Sequence, residues 1–477
     1  MIDYDVVILG GSLTGRYAAI LATHQFKAKV ALVEPPQQKI FPHLLTPYAL
    51  TYLGKLRQQC SDIATVAVNR SSVPWAEVMQ EAKGVVTNIE ELYSPVVLAA
   101  LGVDVVSGNG QFERTPSLTF SVNRRQLRSR SYLLATGSRP VIPNIEGLQA
   151  TGYYTLPEVL SVLTSPNPPT RWVIVGGDPS GIQMAQIFTR FGLDVTLIVR
   201  HSRILPQEDP EITQLIQAAL EAEGVRILTA TPVSQIKQIQ GKKWVQAGNQ
   251  AIETDEVLLC AGQQPDLAHL NLETVGVRLG EAQRQRRSHR NRLVLNAKLQ
   301  TTHPRIYACG EAIGGYPLTN IANYEAAIAL KNALYFPRNR VDYSSIPWAV
   351  FSEPQLARVG LTETQARRSY GDVVVLRQYF KSVAAAQMEM ATTGVCQVVV
   401  LPNGEILGAT IVGSYAAELI HVFSLAIAQR MKIDKIAQLA PVYPSFSEIF
   451  AQIAISAYQT QLIRPSILDQ FLALWCR

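Results

Sequence analysis

Cysteine is scarce in this chain, and its pattern excludes some chemistry. The 477 residues include five cysteines, namely Cys60, Cys260, Cys309, Cys396 and Cys476. No two lie close in sequence, which excludes a CxxC metal or redox motif and indicates a reducing compartment. The sequence also lacks an apolar run of the ~18 residues that a membrane span needs. Because a strand begins within about five residues of the start, no signal peptide fits, and we expect a soluble cytoplasmic protein.

Charge is also sparse, since 17% of the residues are charged and 47% are hydrophobic. Such a chain can bury a sizeable core, and its length predicts roughly three domains of about 150 residues. One run is strongly basic, with five arginines between Arg284 and Arg292. A solvated loop would explain this run, and so would a docking patch for an acidic redox protein or an anionic surface. No aromatic residue interleaves with these arginines, so nucleic acid is not an expected partner.

The first 34 residues carry the strongest motif. A short apolar strand, Asp5–Leu9, leads into the turn Gly10–Gly15, a helical run and a second strand that ends in Glu34. This order is the dinucleotide-binding fingerprint, in which the helix N-terminus receives the pyrophosphate. Glu34 is then placed to accept hydrogen bonds from a ribose. Ser12 departs from the pattern, because a glycine usually stands at that position.

The fingerprint occurs a second time. The strand Trp172–Val175 runs into the turn Gly176–Gly181, and the 24-residue spacing from Gly10 to Glu34 recurs from Gly176 to Arg200. A carboxylate suits a free 2′-hydroxyl, whereas the cations Arg200, His201 and Arg203 suit a 2′-phosphate. Asp178 replaces the second glycine here. It would either repel a pyrophosphate or cap the helix and turn away from the ligand.

Several later segments resemble the class I flavin-dependent pyridine nucleotide-disulfide oxidoreductases, the family of glutathione reductase, dihydrolipoamide dehydrogenase and mercuric reductase. The resemblance covers about residues 4 to 455, and its clearest segments are Ala135–Pro140, Gly108–Gly110, Leu258–Asp266, Arg305–Glu311, Leu318–Thr319 and Ile346–Gly360. It implies an α/β fold with two Rossmann-like dinucleotide-binding domains, for FAD and NADPH, and an α+β C-terminal dimerisation domain. The implied protein is a homodimer.

The implied domains are an FAD-binding domain in two parts (1–150 and 265–340), an NAD(P)H-binding domain (151–264), a dimerisation domain (341–458) and a C-terminal extension (459–477). FAD would contact Gly10, Gly11, Ser12, Leu13, Thr14, Gly15, Glu34, Gly110, Ala135, Thr136, Gly137, Gly310, Glu311, Leu318 and Thr319. NADPH would contact Gly176, Gly181, Arg200, His201, Arg203 and Gly262.

The chain departs from this family where the family's chemistry is carried out. The two positions of the family's CxxxxC disulfide hold Pro42 and Pro47. Only thiolates exchange with disulfides, so disulfide reduction by the family's mechanism is excluded. The catalytic His is replaced by Tyr443, and the acid that pairs with it remains as Glu448, so these two are the candidate catalytic residues.

A buried lysine–glutamate pair of the family is also missing. In ungapped register the lysine falls at Leu50 or Thr51, and Gln183 replaces the glutamate. Losing both partners together avoids a stranded buried charge, which indicates a changed site. We therefore expect an NADPH oxidoreductase that passes electrons through FAD to a quinone, a dye or a redox protein. The alternative is a flavin-binding sensor or interaction protein with a non-functional nicotinamide site, or one reduced by an acidic electron-transfer protein; Asp178 and Pro179 favour it.

Overall fold

The computed structural model describes residues 2–36, 40–63, 75–114, 117–165, 168–280, 292–315, 317–460 and 462. The α-helices are α1 (Leu13–His24), α2 (Ile40–Ile63), α3 (Trp75–Glu91), α4 (Pro95–Ala100), α5 (Leu148–Thr151), α6 (Leu156–Val162), α7 (Pro179–Arg190), α8 (Pro210–Ala222), α9 (Thr319–Leu334), α10 (Glu363–Tyr370), α11 (Ala384–Met388), α12 (Ala416–Ala428), α13 (Ile433–Ile436) and α14 (Glu448–Gln459). Short 3-10 helices span Ala268–Leu270, Leu272–Val275, Gly310–Ile313 and Phe380–Ser382.

The strands contain two to eight residues each. They are β1 (Tyr4–Leu9), β2 (Val30–Glu34), β3 (Val103–Ser107), β4 (Gly110–Glu113), β5 (Thr119–Val122), β6 (Arg125–Leu127), β7 (Ser129–Leu134), β8 (Ser138–Pro140), β9 (Tyr154–Thr155), β10 (Arg171–Val175), β11 (Asp194–Ile198), β12 (Arg226–Leu228), β13 (Val233–Ile239), β14 (Lys242–Ala247), β15 (Gln250–Thr254), β16 (Glu256–Leu259), β17 (Gln263–Pro265), β18 (Leu279–Gly280), β19 (Arg292–Leu293), β20 (Ile306–Ala308), β21 (Trp348–Val350), β22 (Gln355–Gly360), β23 (Val374–Tyr379), β24 (Val395–Val400) and β25 (Ile406–Gly413).

The chain divides into two compact units. The first comprises Met1–Arg200 and Thr231–Val341, and the second comprises His201–Ala230 and Asp342–Arg477. Both fingerprint turns lie in the first unit. Among the described helices, none is long and apolar enough to cross a membrane.

A parallel sheet in the order β20-β7-β1-β2-β3 forms the centre of the first unit. Its strands are apolar on both faces because both faces are covered. On one face Val7, Leu9 and Ala31 pack with Phe112 and Phe120 of the antiparallel sheet β4-β5-β6. The other face packs against apolar residues of α1 and α9. The expected mixed α/β fold is confirmed.

The second fingerprint repeats this arrangement within the same unit. The strands β11-β10-β16-β9 run parallel, and β10 lies between β11 and β16 as β1 lies between β2 and β7. The four fingerprint glycines have matching constraints. A Cβ at Gly10 would lie 2.2 Å from the Ala135 carbonyl oxygen, and one at Gly176 would lie 2.0 Å from the Cys260 carbonyl oxygen. A Cβ at Gly15 or Gly181 would lie 1.9 or 2.1 Å from the carbonyl oxygen of the turn's first glycine.

The second unit contains an antiparallel sheet in the order β21-β22-β25-β24-β23. Its core joins sheet residues such as Val398 and Ile411 to Ile420 and Phe423 on α12 and to Ile449 and Phe450 on α14. The sheet and helices agree with the α+β domain expected near the C-terminus.

Candidate dinucleotide-binding site

The carboxyl ends of four parallel strands meet at one edge of the first sheet. The Ala135 N–H donates to the Leu9 carbonyl at 2.8 Å, and the Cys309 N–H donates to the Leu134 carbonyl at 3.0 Å. The Gly10 N–H donates to the Val33 carbonyl at 2.8 Å. The first turn, Glu34, Ala135–Gly137 and Gly310–Glu311 therefore follow strands that end together, where open α/β sheets bind their ligands.

Ser12, the departure from the first fingerprint, has a structural role. It is the N-cap of α1, and its Oγ accepts a hydrogen bond from the Gly15 N–H at 3.2 Å. The same hydroxyl lies 3.2 Å from the Ala135 carbonyl oxygen, to which it donates. Ser12 thus satisfies one of the unpaired amides at the helix N-terminus and fixes the turn against the end of β7.

The residues at this edge fit a flavin dinucleotide on an observation independent of the motif. Within the described residues, the Thr136 hydroxyl is buried and has no hydrogen-bond partner. It lies next to the first turn, since a Cβ at Gly10 would come within 2.8 Å of the Thr136 Cα. A buried hydroxyl without a partner is costly unless a ligand or water satisfies it. This position suits a polar group of a bound dinucleotide.

Glu34 is held in place by Arg16 of α1. Arg16 Nη2 lies 2.5 Å from Glu34 Oε2, and both side chains are 12% exposed. Burial raises the pKa of Glu34, and the Arg16 guanidinium opposes that rise. The Glu34 side chain lies over the turn, because a Cβ at Gly11 would be 2.5 Å from its Oε2. A carboxylate in this position can accept hydrogen bonds from ribose hydroxyl groups.

Glu311 lies at the other end of the site, in a 3-10 helix of its own. The Ser138 hydroxyl donates a short hydrogen bond to Glu311 Oε2, and burial raises the pKa of Glu311. Burial, and to a smaller extent the Glu311 charge, raise the pKa of Tyr48. Glu325 Oε2 accepts a hydrogen bond from the Gly310 N–H at 2.7 Å, and this bond holds the turn that carries Glu311. Leu318 and Thr319 form the N-terminus of α9.

Gly110, expected to contact FAD, is the first residue of β4. A Cβ there would lie 2.4 Å from the Phe120 ring and 2.5 Å from the Ser121 carbonyl oxygen. Packing against Phe120 therefore explains this glycine without a ligand.

The second turn differs from the first at its N-cap. Asp178 occupies that position, but its side chain makes no capping hydrogen bond. A Cβ at Gly262 would lie 3.9 Å from Asp178 Oδ2, and the Asp178 charge contributes to the raised pKa of Cys260. The carboxylate therefore lies by the turn and the end of β16. Of the two predicted roles for Asp178, the missing capping bond argues against the helix cap.

The predicted 2′-phosphate residues lie at the end of β11 and beyond it. Arg200 is exposed and ends the first segment of the first unit, whereas His201 and Arg203 belong to the second unit. Arg203 Nη2 lies 3.4 Å from both the Pro206 and Glu208 carbonyl oxygens. The Arg203 side chain therefore contacts the backbone of the loop that follows it.

The positions expected to replace the lysine–glutamate pair are in contact. Gln183 Nε2, on α7, donates to Thr51 Oγ1, on α2, at 3.0 Å. The Thr51 hydroxyl in turn donates to the Pro47 carbonyl at 2.9 Å, within the same helix. Gln183 and Thr51, one of the two positions predicted for the lysine, are thus joined by a neutral hydrogen bond. Pro42 lies within α2, and its side chain is outside the described residues.

Tyr443 and Glu448 lie in the second unit, Glu448 as the first residue of α14 and Tyr443 in the segment before it. Tyr443 is 73% exposed, and Glu448 Oε1 accepts the Ser445 N–H at 3.1 Å. Glu448 therefore holds the turn that precedes α14, and the catalytic role expected of Tyr443 and Glu448 stays a prediction. The arginines from 284 to 290 lie outside the described residues, as does the C-terminal extension except for Gln459, Thr460 and Leu462.

Sequence reasoning missed Arg16, Ser138 and Glu325. Each is distant in sequence from its partner, at separations of 18, 173 and 15 residues. Arg16 alone carried a signal, because it follows the last glycine of the first fingerprint directly and so lies on the first turn of the helix.

Comparison with known proteins identifies the family. The sequence matches the pyridine nucleotide-disulphide oxidoreductase family over residues 4–327 and the dimerisation domain of that family over residues 346–454. The chain belongs to this family. It is 28% identical to a mercuric reductase of Staphylococcus aureus, over 94% of this chain and 81% of that one. It is 27% identical to a dihydrolipoyl dehydrogenase of Bacillus subtilis, over 94% and 98% of the two chains.

Solved structures agree on the fold of this family member. LpdA from Mycobacterium tuberculosis matches with a TM-score of 0.84 at 20% identity, over 97% of this chain and 100% of that one. A Cu(II) complex of the HOCl-induced flavoprotein disulfide reductase RclA from Escherichia coli matches with a TM-score of 0.81 at 24% identity, over 95% and 99% of the chains.

Proposed function

We propose that this family member is an FAD-dependent NADPH oxidoreductase that works without a redox disulfide. When bound, FAD supplies the redox chemistry by accepting a hydride from NADPH and passing electrons to a quinone, a dye or a redox protein. The chain's own residues bind and orient the cofactor through the first turn, Glu34 and Glu311. We also infer a cytoplasmic homodimer, with the domain boundaries predicted from the sequence.

The hydrogen bond between Gln183 and Thr51 carries the proposal. The resemblance aligns Leu50 or Thr51 with the lysine, and Gln183 with the glutamate, of a buried ion pair in the family. In this chain the neutral side chains of Thr51 and Gln183 are hydrogen-bonded to each other. The acceptor of the Thr51 hydroxyl is Pro47, one of the two prolines at the aligned cysteine positions. The residues in this part of α2 are therefore compatible with one another without the ion pair and the disulfide, as expected for a site with a different electron acceptor.

The cysteines with described side chains are poorly suited to replace a redox disulfide. Cys260, Cys309 and Cys396 are all buried. Burial raises the pKa of Cys260 to about 12 and also raises the pKa of Cys309 and of Cys396. Because the thiolate is the reactive form, thiols in such surroundings are inert.

An anaerobic experiment tests the proposal. NADPH is added to the FAD-loaded protein under nitrogen, and the flavin absorbance band is followed. We expect the band to bleach, and to return when a quinone is added but not when oxidised glutathione or lipoamide is added. Turnover of a disulfide at a rate comparable to the quinone would refute the proposal.

A second candidate function has its own supporting observation. Asp178 places a carboxylate beside the second turn, close to Gly262, where an incoming pyrophosphate would be repelled. A flavoprotein with a non-functional nicotinamide site would serve as a sensor or interaction module, or accept electrons from an acidic protein docked at Arg284–Arg292. The same experiment separates the two functions, because in this case NADPH leaves the flavin band unchanged.

A further inference from the structure

Arg16 makes contacts with three separate parts of the first fingerprint region. Its Nε donates to the Gly11 carbonyl at 2.9 Å, and its Nη1 donates to the Tyr93 carbonyl at 2.5 Å. Its Nη2 bonds Glu34 Oε2 at 2.5 Å. The planar guanidinium thus joins the glycine turn, the segment before α4 and the acid at the end of β2. A lysine ammonium could not hold three acceptors in this fixed fork geometry.

We propose that Arg16 is a positioning residue for the adenosine end of FAD, acting through Glu34. The guanidinium fixes one carboxylate oxygen over the turn, and the other oxygen remains available to accept a ribose hydroxyl. This inference rests on the proposed binding of FAD and assigns part of the affinity to a residue that does not itself contact the ribose.

The burial of the pair explains why a positioning residue is needed. Both side chains are 12% exposed, so a carboxylate here loses most of its water and needs a partner to remain ionised. A bidentate-capable Arg provides that partner and also restricts the rotamers of Glu34. Preorganisation of this kind raises affinity because fewer degrees of freedom are lost on binding.

A double-mutant cycle on the full-length protein tests the inference. The dissociation constant of FAD is measured by flavin fluorescence for the unmutated apoprotein, Arg16→Gln, Glu34→Gln and the double variant. We expect Arg16→Gln to weaken FAD about tenfold or more, as for a lost hydrogen bond to a charged group. In the Glu34→Gln background the same change should weaken FAD less than about twofold, because the group through which Arg16 acts is already altered.

Two further measurements keep the result interpretable. Arg16→Lys retains the charge with a poorer geometry, so its FAD affinity should lie between that of the unmutated protein and that of Arg16→Gln. Far-ultraviolet circular dichroism checks that each variant is folded. A loss of affinity that is equal in both Glu34 backgrounds, or no loss at all, would overturn the positioning role. Failure of the unmutated protein to bind FAD would overturn the proposed function as well, so the two failures are distinguishable.

Discussion

Gln183 and Thr51 form a hydrogen bond at 3.0 Å between two helices that are far apart in sequence, α7 and α2. Gln183 is 8% exposed, so its amide depends on protein partners. Thr51→Val keeps the shape of the side chain and removes the hydroxyl that accepts from Gln183 and donates to Pro47. We expect unfolding free energy to fall by about 1–3 kcal/mol, as for a buried polar group left unsatisfied. Urea denaturation of the apoprotein measures this, and Thr51→Ser is the matched control that should lose much less. Equal losses of unfolding free energy in Thr51→Val and Thr51→Ser would contradict a specific contribution from the hydrogen bond.

Asp178 should have opposite effects on stability and on binding. A carboxylate at the N-terminus of α7 stabilises the helix by about 0.3–1 kcal/mol. The same charge would repel a pyrophosphate by roughly 4 kcal/mol for unit charges about 4 Å apart at an effective dielectric constant of about 20. We therefore expect Asp178→Asn to lower the melting temperature slightly and to tighten NADPH binding at least about tenfold. Asp194 is the first residue of β11, at the end of the strand away from Arg200, so Asp194→Asn should leave NADPH affinity unchanged. Weaker NADPH binding in Asp178→Asn would mean that the carboxylate assists the ligand.

The two arginines expected at the 2′-phosphate should contribute unequally. Arg203 Nη2 lies 3.4 Å from the Pro206 and Glu208 carbonyl oxygens. Arg200 stands 24 residues after Gly176, at the position that faces the ribose in the dinucleotide fingerprint, so we expect Arg200 to contribute more to binding the phosphate. Arg200→Ala should weaken NADPH by about 1.5–3 kcal/mol and leave NADH nearly unchanged, because only NADPH carries the 2′-phosphate. Arg203→Ala should weaken NADPH less. Isothermal titration with both nucleotides measures these affinities, and equal affinity of the unmutated protein for NADH and NADPH would contradict the assignment.

The architecture was predictable because local pattern and long-range packing agree. A strand that is apolar on both faces, a glycine turn and an acid or arginine 24 residues later fix the two βαβ units, and the structure places both as expected. The glycines could be predicted for a physical reason, since a Cβ at Gly10 or Gly176 would overlap a backbone carbonyl oxygen. Such steric constraints act within one motif, so the glycines that they require can be recognised from the sequence.

The side chains that complete the site could not be predicted in this way. Ser138 reaches Glu311 only because β8 and the 3-10 helix at Gly310–Ile313 are brought together by the sheet. The sequence pattern allowed Asp178 to be either a helix cap or a repelling charge, and only the fold shows that its side chain makes no capping hydrogen bond. The resemblance places Tyr443 at the position of the family histidine, whereas the contact of Glu448 is set by the local turn, which presents the Ser445 amide.

Glu208 and Arg358 form a buried ion pair in the second unit that should make stability depend on pH. The pair is 2.9 Å apart, and the two side chains are 1% and 8% exposed. Burial raises the pKa of Glu208, and Arg358 only partly offsets this. Because the folded protein binds this proton more tightly than the unfolded chain does, the carboxyl stabilises the folded state most at low pH. The protein loses that stability as pH rises from the ordinary Glu pKa of about 4.3 through the raised pKa. The unmutated protein should therefore become less stable relative to Glu208→Gln as pH rises through this range. Denaturation at several pH values measures the difference, and a constant difference would contradict the raised pKa.

Removing only one partner of this pair should be far more costly. Arg358→Met leaves the Glu208 carboxylate buried without its cation, and we expect a loss of about 3–5 kcal/mol at neutral pH. The exposed pair of Arg367 with Glu363 is the matched control, because Arg367→Met should cost less than about 1 kcal/mol. The double variant Glu208→Gln with Arg358→Met should recover part of the loss, since no buried charge remains.

A reductive titration tests whether a cysteine pair takes part in the chemistry at all. A redox disulfide beside the flavin would store two further electrons, and a thiolate beside an oxidised flavin would give long-wavelength absorption. The sequence resemblance aligns Pro42 and Pro47 with the two cysteines of such a disulfide, and the described cysteine side chains are buried thiols with raised pKa values. Two electrons per subunit should therefore bleach the flavin completely, and no thiolate band should appear. Titration with dithionite under nitrogen measures both, with Cys60→Ser as the control for the cysteine on α2. Uptake of four electrons, or a long-wavelength band that disappears in Cys60→Ser, would mean that Cys60 reaches the flavin and that the site retains thiol chemistry.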